Sequence, residues 1–357
     1  MSKLLELPGL VDVHVHLREP GGMQKEDLKT GTRAAVAGGY TQILDMPNNT
    51  PPTVEPQALE DKIKRTKGRI YCDLGFNFGA TAISSQHFQK VYKKVFGLKV
   101  YMSKTTGPLL VDKRVNQELI FKSWRSPLPI MVHAQGKIIE DAIKLAKKFK
   151  KRIHICHVTT NQLAAIQKAK KEGLEITCEV CPHHLFLNQD DIKRLGYLGM
   201  MKPPLLSKKD QEKLWPNIDK IDMISTDHAP HTLEEKHDQS EPKFGVPGLE
   251  TTLPLMLSAV NKGLITLQRL TEMLTTNPRK IFRLPDQPKT YIVVDTSKTY
   301  KISNKNLFTK CGWTPFVGLE GKGKVQKVVL RGQTIFENDK FIGNPQGQVI
   351  FPQIQAI

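Results

Sequence analysis

Two histidines, His14 and His16, stand two residues apart in the stretch VDVHVH of residues 11–16. In a strand, residues i and i+2 project from the same face, so both imidazoles would point to one side and the valines to the other. Two imidazoles on one face can bind a cation. A pair of hydrogen-bonded core histidines is the competing interpretation, so a metal site requires further ligands.

Further candidate ligands lie at the ends of later β-rich stretches. His133, His157 and Asp227 supply the nitrogen and oxygen atoms that suit zinc. Lys99, in the run GLKVY of residues 97–101, lies where a bridging ligand would be required. On spacing alone, a lysine whose amine reaches solvent or caps an element is the simpler explanation for Lys99.

The cysteines divide into two groups. Cys156 beside His157, together with Glu179, can hold an additional metal, and the alternative is a buried thiol near an ion-pair partner. Cys178 and Cys181 form a C-x-x-C, but it lies inside a predicted strand, and no second C-x-x-C is present. We therefore predict neither a redox pair nor a zinc knuckle there.

The remaining histidines receive structural interpretations. His183 and His184 follow the C-x-x-C in a predicted loop. They are interpreted either as residues at the rim of the site or as hydrogen-bonding groups of the core. His87, His154 and His237 are assigned no chemical role.

Eight short β-rich stretches carry or precede the candidate ligands, and they span residues 10–17, 41–46, 70–78, 98–102, 129–133, 152–158, 175–180 and 222–226. Helical periodicity lies between them, for example at 26–37, 57–67, 136–150 and 161–171. This alternation predicts a parallel sheet, and eight units predict a (β/α)8 TIM barrel. Such barrels carry their catalytic groups at the carboxyl ends of the strands, where the candidate ligands fall.

The C-terminal part of the sequence has a different pattern. After a helical stretch at 266–282, β-rich runs follow at 291–295, 324–330 and 333–336. We therefore predict a barrel over residues 8–284 and a small β-rich subdomain over residues 285–357, which completes the fold.

The composition excludes several classes of protein. No stretch approaches the roughly 18 consecutive apolar residues of a membrane span, and five cysteines do not form a secreted disulfide framework. The formal net charge of +18 raises the possibility of nucleic-acid binding. Many lysines, however, alternate with helix-spaced apolar residues, as at 144–151 and 168–171, and are interpreted as solvated helix faces. The sequence thus predicts a cytoplasmic protein that binds neither membrane nor nucleic acid.

Five motifs in combination resemble the dihydroorotases of the amidohydrolase superfamily. They are DVHVHLREPG at 12–21, MPN at 46–48, GLKVY at 97–101, HICHV at 154–158 and DHAPH at 227–231. The resemblance extends along nearly the whole chain. It is strongest to the dihydroorotase domain of the animal multienzyme proteins of pyrimidine synthesis.

The resemblance implies a two-zinc centre. The positions that match the first zinc site are His14, His16 and Asp227, and those that match the second are His133 and His157. A metal-bound Asp227 is also implied as the group that moves a proton during the reaction.

The resemblance further implies that Lys99, carboxylated by carbon dioxide on its amine, bridges the two ions. A third zinc ion is implied at His14, Cys156 and Glu179, because all three positions match the animal-type domain.

The implied substrate contacts lie in loops after the strands. Arg18 and Asn48 match the residues that hold the substrate carboxylate, and His231 matches another contact. The backbone near Phe244 and Gly245 aligns with a further contact.

Two positions depart from the family pattern. Lys202 stands where an arginine is usual. A lysine cannot make the bidentate hydrogen bonds with which a guanidinium binds a carboxylate. In the flexible loop after Lys99, Thr105 is retained, but Thr106 stands where the animal domain has phenylalanine.

The function expected from the resemblance is reversible cyclisation of N-carbamoyl-L-aspartate to L-dihydroorotate in pyrimidine biosynthesis. A homodimer, and association or fusion with other enzymes of that pathway, are expected with it. Two alternatives remain open at this point: a sibling cyclic amidase, such as a dihydropyrimidinase, hydantoinase or allantoinase, and a catalytically silent structural homologue.

Overall fold

The computed structural model describes residues 3–238, 240–241 and 243–354. Its strands are β1 (Leu4–Pro8), β2 (Leu10–Val15), β3 (Tyr40–Asp45), β4 (Asp73–Phe76), β5 (Phe78–Gly79), β6 (Leu98–Tyr101), β7 (Ile130–His133), β8 (Ile153–Ile155), β9 (Ile176–Val180), β10 (Met223–Ile224), β11 (Tyr291–Lys301), β12 (Glu320–Leu330), β13 (Gln333–Glu337) and β14 (Lys340–Phe341).

Its α-helices are α1 (Leu28–Ala37), α2 (Pro56–Arg65), α3 (Phe88–Val91), α4 (Arg114–Ser123), α5 (Ile138–Phe149), α6 (Thr160–Lys171), α7 (Pro182–Phe186), α8 (Ile192–Leu195), α9 (Lys208–Glu212), α10 (Leu233–His237), α11 (Thr252–Asn261), α12 (Leu267–Thr271) and α13 (Asn277–Phe282). Short 3-10 turns span Ser84–His87, Gln189–Asp191, Gly196–Gly199 and Trp215–Lys220, and a π-helical turn spans Glu272–Thr276.

The strands β2 to β10 form a closed parallel barrel. Hydrogen bonding runs β2-β3-β4 and then β5-β6-β7-β8-β9-β10, with β4 and β5 as two halves of the third strand position. A parallel bridge between Val15 and His228, with the His16 amide donating to the His228 carbonyl at 2.8 Å, closes the last position onto the first. The predicted (β/α)8 barrel is confirmed.

Apolar side chains fill the inside of the barrel. Val11, Leu44, Met131 and Met223 come from β2, β3, β7 and β10 and belong to one buried cluster. Strands that are not neighbours in the sheet share a cluster only across the interior, so the barrel is a packed core.

The outer helices are amphipathic. In α5, Ile139 and Ala146 are buried, while Lys144, Lys147 and Lys148 are exposed. This arrangement confirms that these lysines lie on a solvated helix face, so much of the positive charge is spread over the barrel surface. Within the described ranges, no helix is both long and apolar enough to cross a membrane.

A five-stranded antiparallel sheet, in the order β1-β11-β12-β13-β14, forms the β-rich appendage. Four of its strands are C-terminal: β11, β12 and β13 cover the three predicted runs, and β14 was not predicted. The strand β1 supplies the edge of the sheet from the other end of the chain. The domain limits at residues 8 and 284 stay predictions.

Two local predictions differ from the structure. His183 and His184 lie in the buried helix α7, which follows Cys181 without a loop and has Pro182 at its first position, where proline is favoured. The predicted helix over 266–282 is interrupted by the π-helical turn at Glu272–Thr276.

Candidate active site

The predicted metal ligands gather at the carboxyl end of the barrel. Each lies on, or directly after, a strand of the parallel sheet: His14 and His16 at β2, Lys99 on β6, His133 on β7, Cys156 and His157 after β8, Glu179 on β9, and Asp227 after β10.

His14, His16 and Asp227 form one group. The carboxylate oxygen Oδ1 of Asp227 lies 3.1 Å from Nε2 of His16 and 3.3 Å from Nε2 of His14. The other ring nitrogen of His14, Nδ1, contacts the Glu179 carboxylate. His14 therefore faces two groups of candidate ligands at once, and one ligand atom each from His14, Cys156 and Glu179 lie within 4.8 Å of one another.

His133, His157 and Lys99 lie beside this group. Nδ1 of His133 is 2.8 Å from Nε2 of His157, and the Lys99 amine is 3.4 Å from Nε2 of His14. The Lys99 amine also lies 3.0 Å from the Cys156 sulfur, in a fully buried side chain. Among the described residues, no carboxylate oxygen lies within 4.0 Å of this amine.

The charges at the site are strongly coupled. Burial lowers the pKa of His16 to about 4 and, together with the Lys99 charge, that of His133 to about 3. Burial and the Lys99 charge oppose protonation of His14, but the carboxylates of Glu179 and Asp227 outweigh them and raise its pKa to about 10. Burial disfavours ionised Asp227, yet the surrounding imidazoles hold its pKa well below the usual range.

Most of the ligands border one open cavity. Its wall includes the predicted substrate and loop residues Arg18, Asn48, Thr105, Thr106, Lys202, Phe244 and Gly245, together with Tyr101 and Ala229. Cys156 and Glu179 lie behind this wall. His231 touches the cavity residues without lining it.

The Arg18 guanidinium is held in place from one side. Its Nε donates to the Pro230 carbonyl at 3.0 Å, and its Nη2 lies 3.2 Å from Nε2 of His231. Within the part of the chain that the structure describes, no carboxylate lies within 4.0 Å of it. A partly buried guanidinium without an internal counter-charge is a ready partner for an anionic group of a ligand.

Three site residues have left-handed backbone conformations. Arg18, His157 and Asp227 have φ values of 61°, 37° and 46°. Non-glycine residues seldom adopt this region, and such residues concentrate at functional sites.

His231 is oriented by two residues that the sequence analysis did not single out. Its Nδ1 lies 3.1 Å from the Glu235 carboxylate and 3.5 Å from the Lys25 amine, while Nε2 faces Arg18. Burial and the Arg18 charge lower the pKa of His231 to about 3, so the ring is neutral. Nδ1–H then donates to Glu235 and Nε2 accepts from Arg18, while Lys25 acts through its ion pair with Glu235 at 3.0 Å. The spacing of Glu235, four residues after His231, was an available signal.

His154, which was assigned no chemical role, also belongs to the site. Its Nε2 lies 3.1 Å from the second oxygen of Glu179, and Nδ1 lies 2.9 Å from the Thr177 hydroxyl. His154 is two residues before Cys156, and this period-2 spacing was the signal that could have identified it.

Asn48 and Lys202 line the cavity and also make side-chain contacts within the site. The Asn48 side-chain oxygen lies 2.6 Å from Nδ1 of His16, so Asn48 orients a candidate ligand as well as lining the cavity. The Lys202 amine lies 4.0 Å from the centre of the Phe244 ring, at cation–π distance.

Lys236 forms hydrogen bonds that join the loop carrying Lys202 to the loop carrying Phe244. Its buried ammonium donates to the carbonyls of Met200, Lys243 and Gly245 at 2.8, 3.0 and 3.1 Å, which uses its three N–H donors.

We expect Lys236→Met to destabilise the fold by about 1–3 kcal/mol, because buried carbonyls lose their donor. KM should rise more than kcat falls, because the loops are displaced rather than the metal ligands. Thermal unfolding and steady-state kinetics measure both effects. Lys243→Met is the matched control, since that side chain pairs with the exposed Glu241. Equal KM values in the two variants would contradict the positioning role.

The sequence matches the profile of the Amidohydrolase family over residues 6–335. It is also 38% identical to a dihydroorotase of Pyrococcus furiosus over 358 residues, which covers 96% of this chain and 84% of the relative. The chain belongs to the dihydroorotases of the amidohydrolase family.

Other relatives in the family are larger or differ in activity. The chain is 45% identical over 345 residues to the multifunctional protein pyr1-3 of Dictyostelium discoideum, with 96% of the chain covered but only 15% of that protein's length. Among solved structures, an L-hydantoinase from Arthrobacter aurescens matches with a TM-score of 0.91 at 25% identity, covering 97% of this chain and 89% of that one.

A structure described as an inactive dihydroorotase-like domain, from a multifunctional protein of Chaetomium thermophilum, matches with a TM-score of 0.82 at 26% identity. It covers 97% of this chain and 99% of that one. The amidohydrolase fold thus occurs in proteins of more than one activity, so the function must be argued from the residues of the site.

Proposed function

We propose that this chain is a dihydroorotase, which opens L-dihydroorotate to N-carbamoyl-L-aspartate and closes it again in pyrimidine biosynthesis. The observation that carries the proposal is the juxtaposition, in one cavity, of a cluster of imidazoles and Asp227 with the guanidinium of Arg18, which has no carboxylate of the described residues within 4.0 Å. The first group suits hydrolysis of an amide. The second suits the carboxylate that distinguishes dihydroorotate from neutral cyclic amides.

The donor set fits zinc. Burial holds His16 and His133 neutral, as metal ligands must be, and Nδ1 of His157 is buried with no hydrogen-bond partner among the described residues. His14, His16 and Asp227 would hold one ion and His133 and His157 a second. When bound, such ions lower the pKa of a shared water and polarise a carbonyl oxygen.

Lys99 would connect the two ion sites after carboxylation of its amine. The neutral amine nitrogen attacks the carbon of CO2 and loses a proton, which turns a cationic side chain into an oxygen ligand. The Lys99 side chain is fully buried, and its amine lies 3.4 Å from Nε2 of His14, beside the proposed metal ligands.

A third ion would be held by His14, Cys156 and Glu179. Glu179 is held by His154, so the carboxylate is already oriented toward His14.

Asp227 would move the proton of the reaction. Its low pKa keeps it ionised, so it can accept the proton of the attacking water. It then delivers that proton to the ring nitrogen as the carbon–nitrogen bond breaks. Arg18, positioned by His231 and Pro230, would hold the substrate carboxylate meanwhile, with Asn48 and the loop residues Lys202, Thr105 and Thr106 around the ring.

Metal removal tests the proposal directly. Chelation should reduce hydrolysis of dihydroorotate to the background rate, and added zinc should restore it, because the proposed nucleophile is a water that the metal activates. Activity on dihydroorotate is followed spectrophotometrically, with the metal content measured in parallel. Full turnover in protein shown to lack metal would refute the mechanism.

Lys99→Ala should cost the chain at least one tightly bound zinc ion and most of its activity. The nearest ligand groups to the amine, His14 and Cys156, are already assigned to other metal contacts in this proposal. Lys104→Ala, an exposed change in the loop after β6, is the matched control. Elemental analysis counts the ions, and a crystal structure shows whether Lys99 carries the added carboxylate. A plain ammonium directed away from an occupied metal pair would exclude the bridging role.

The cellular setting is part of the same proposal. We infer a cytosolic enzyme that acts as a homodimer, in association with, or fused to, other enzymes of pyrimidine synthesis. The similarity to multifunctional proteins supports the last point, since this chain corresponds to 15% of the length of each.

A further inference from the structure

A second group of metal-type ligands lies outside the proposed zinc centre. Cys181 directly follows β9, and His183 and His184 lie in the adjoining helix α7. One ligand atom from each of the three lies within 4.8 Å of the others. All three side chains are buried, and none lines the cavity at the carboxyl end of the barrel.

The two imidazoles have unused ring nitrogens. Nε2 of His184 donates to the Pro203 carbonyl at 3.1 Å, so in the neutral ring the lone pair is on Nδ1. Nδ1 of His184 and Nε2 of His183 are buried, and neither has a hydrogen-bond partner in the described part of the chain. Buried polar groups are nearly always paired, so two such atoms in adjacent residues point to a missing partner.

We propose that Cys181, His183 and His184 form a further site for a thiophilic divalent cation of the zinc class. A thiolate and two imidazoles are ligands that zinc prefers, and three protein ligands leave a fourth position open. Metal-bound histidines usually donate their other ring N–H to a backbone carbonyl, which is the contact His184 makes to Pro203.

This site shares no residue with the eight proposed ligands of the catalytic centre, and it does not depend on the proposed reaction. It does connect to the substrate loop. An ion on Nδ1 would fix the ring of His184 and therefore the carbonyl of Pro203, directly after Lys202. The bound ion would therefore stabilise the conformation of the loop that carries Lys202.

Crystals of the full chain, soaked in zinc or cadmium and measured at an absorption edge, test the proposal without any variant. An anomalous peak between Cys181, His183 and His184, separate from the peaks at the barrel end, is expected. The lack of that peak, with the catalytic peaks present, would overturn the proposal even if the chain proves to be a dihydroorotase.

Variants give an independent test in solution. Cys181→Ala should bind one zinc ion fewer per chain than wild type, and its cobalt-loaded form should lose part of the sulfur-to-cobalt charge-transfer absorbance. Cys178→Ala is the matched control, a buried cysteine of the same strand that packs in the core under the helices. His183→Gln, which keeps a neutral polar side chain, should lose the same ion, so the result does not rest on one variant. Wild-type ion counts and absorbance in folded Cys181→Ala and His183→Gln would refute the site.

Discussion

Asp227→Asn is expected to lower kcat for dihydroorotate by about 10²–10⁴-fold, the range typical of general acid–base catalysis. Asparagine keeps the size of the side chain and one oxygen near His14 and His16. It cannot accept a proton at that oxygen, whereas the Asp227 carboxylate stays ionised because the surrounding imidazoles lower its pKa. Steady-state kinetics and elemental analysis on the same preparation give the result.

The metal content separates two roles of Asp227. A fall in kcat with the zinc content unchanged assigns the proton transfer to this carboxylate, whereas a loss of zinc assigns it mainly a ligand role. Asp219→Asn is the matched control, because that carboxylate is 84% exposed and precedes β10, at the opposite end of the barrel. Turnover of Asp227→Asn within a few-fold of wild type would move the proton role to another group.

The barrel was predictable because its signal repeats. Eight buried strands separated by amphipathic helices give the sequence a repeating alternation of β-rich and helical stretches. Each strand also ends near a polar residue of a type that is unusual in an apolar core. The N-terminal edge of the appendage sheet was not predictable. Leu4–Pro8 pairs with Tyr291–Asp295, and no local pattern reveals a partner almost three hundred residues away.

The site was predictable as a set of ligands but not as a network. Position at strand ends indicated His14 and Asp227, whereas Arg18 was indicated only by the resemblance to the dihydroorotases. The contacts that orient them depend on tertiary packing: Asn48 on His16, and Glu235 with Lys25 on His231. The residues that orient the ligands are of the same types as ordinary surface or core residues. A single sequence therefore gives little indication of their role.

The departure at Lys202 acquires a physical explanation from the structure. Its amine lies over the ring of Phe244, so the loop after β9 and the loop after β10 meet through a cation–aromatic contact. The contact to the Phe244 ring requires only a positive charge, which lysine supplies. It does not require the two parallel N–H groups with which an arginine binds a carboxylate. In the proposed function, the substrate carboxylate would therefore be held mainly by Arg18.

Dihydroorotate should be preferred over dihydrouracil by about 10⁴–10⁵-fold in kcat/KM. Preferences of this size are found where the wrong substrate leaves polar groups of the site without a partner. Dihydrouracil lacks the carboxylate. With the neutral ring bound, the partly buried guanidinium of Arg18 would keep only its contacts to Pro230 and His231. The measurement is kcat/KM for both substrates under the same conditions.

Arg18→Ala should erase most of that preference, and it should do so by lowering kcat/KM for dihydroorotate while leaving the rate with dihydrouracil nearly unchanged. Arg114→Ala is the matched control, because Arg114 pairs with Glu118 on the exposed face of α4. Comparable kcat/KM values for the two substrates in the unmodified protein would assign it to the neutral cyclic amidases, as the hydantoinase-like fold also allows. The imidazole cluster and Asp227 would then keep their proposed chemistry, since they act on the amide bond that both substrates share.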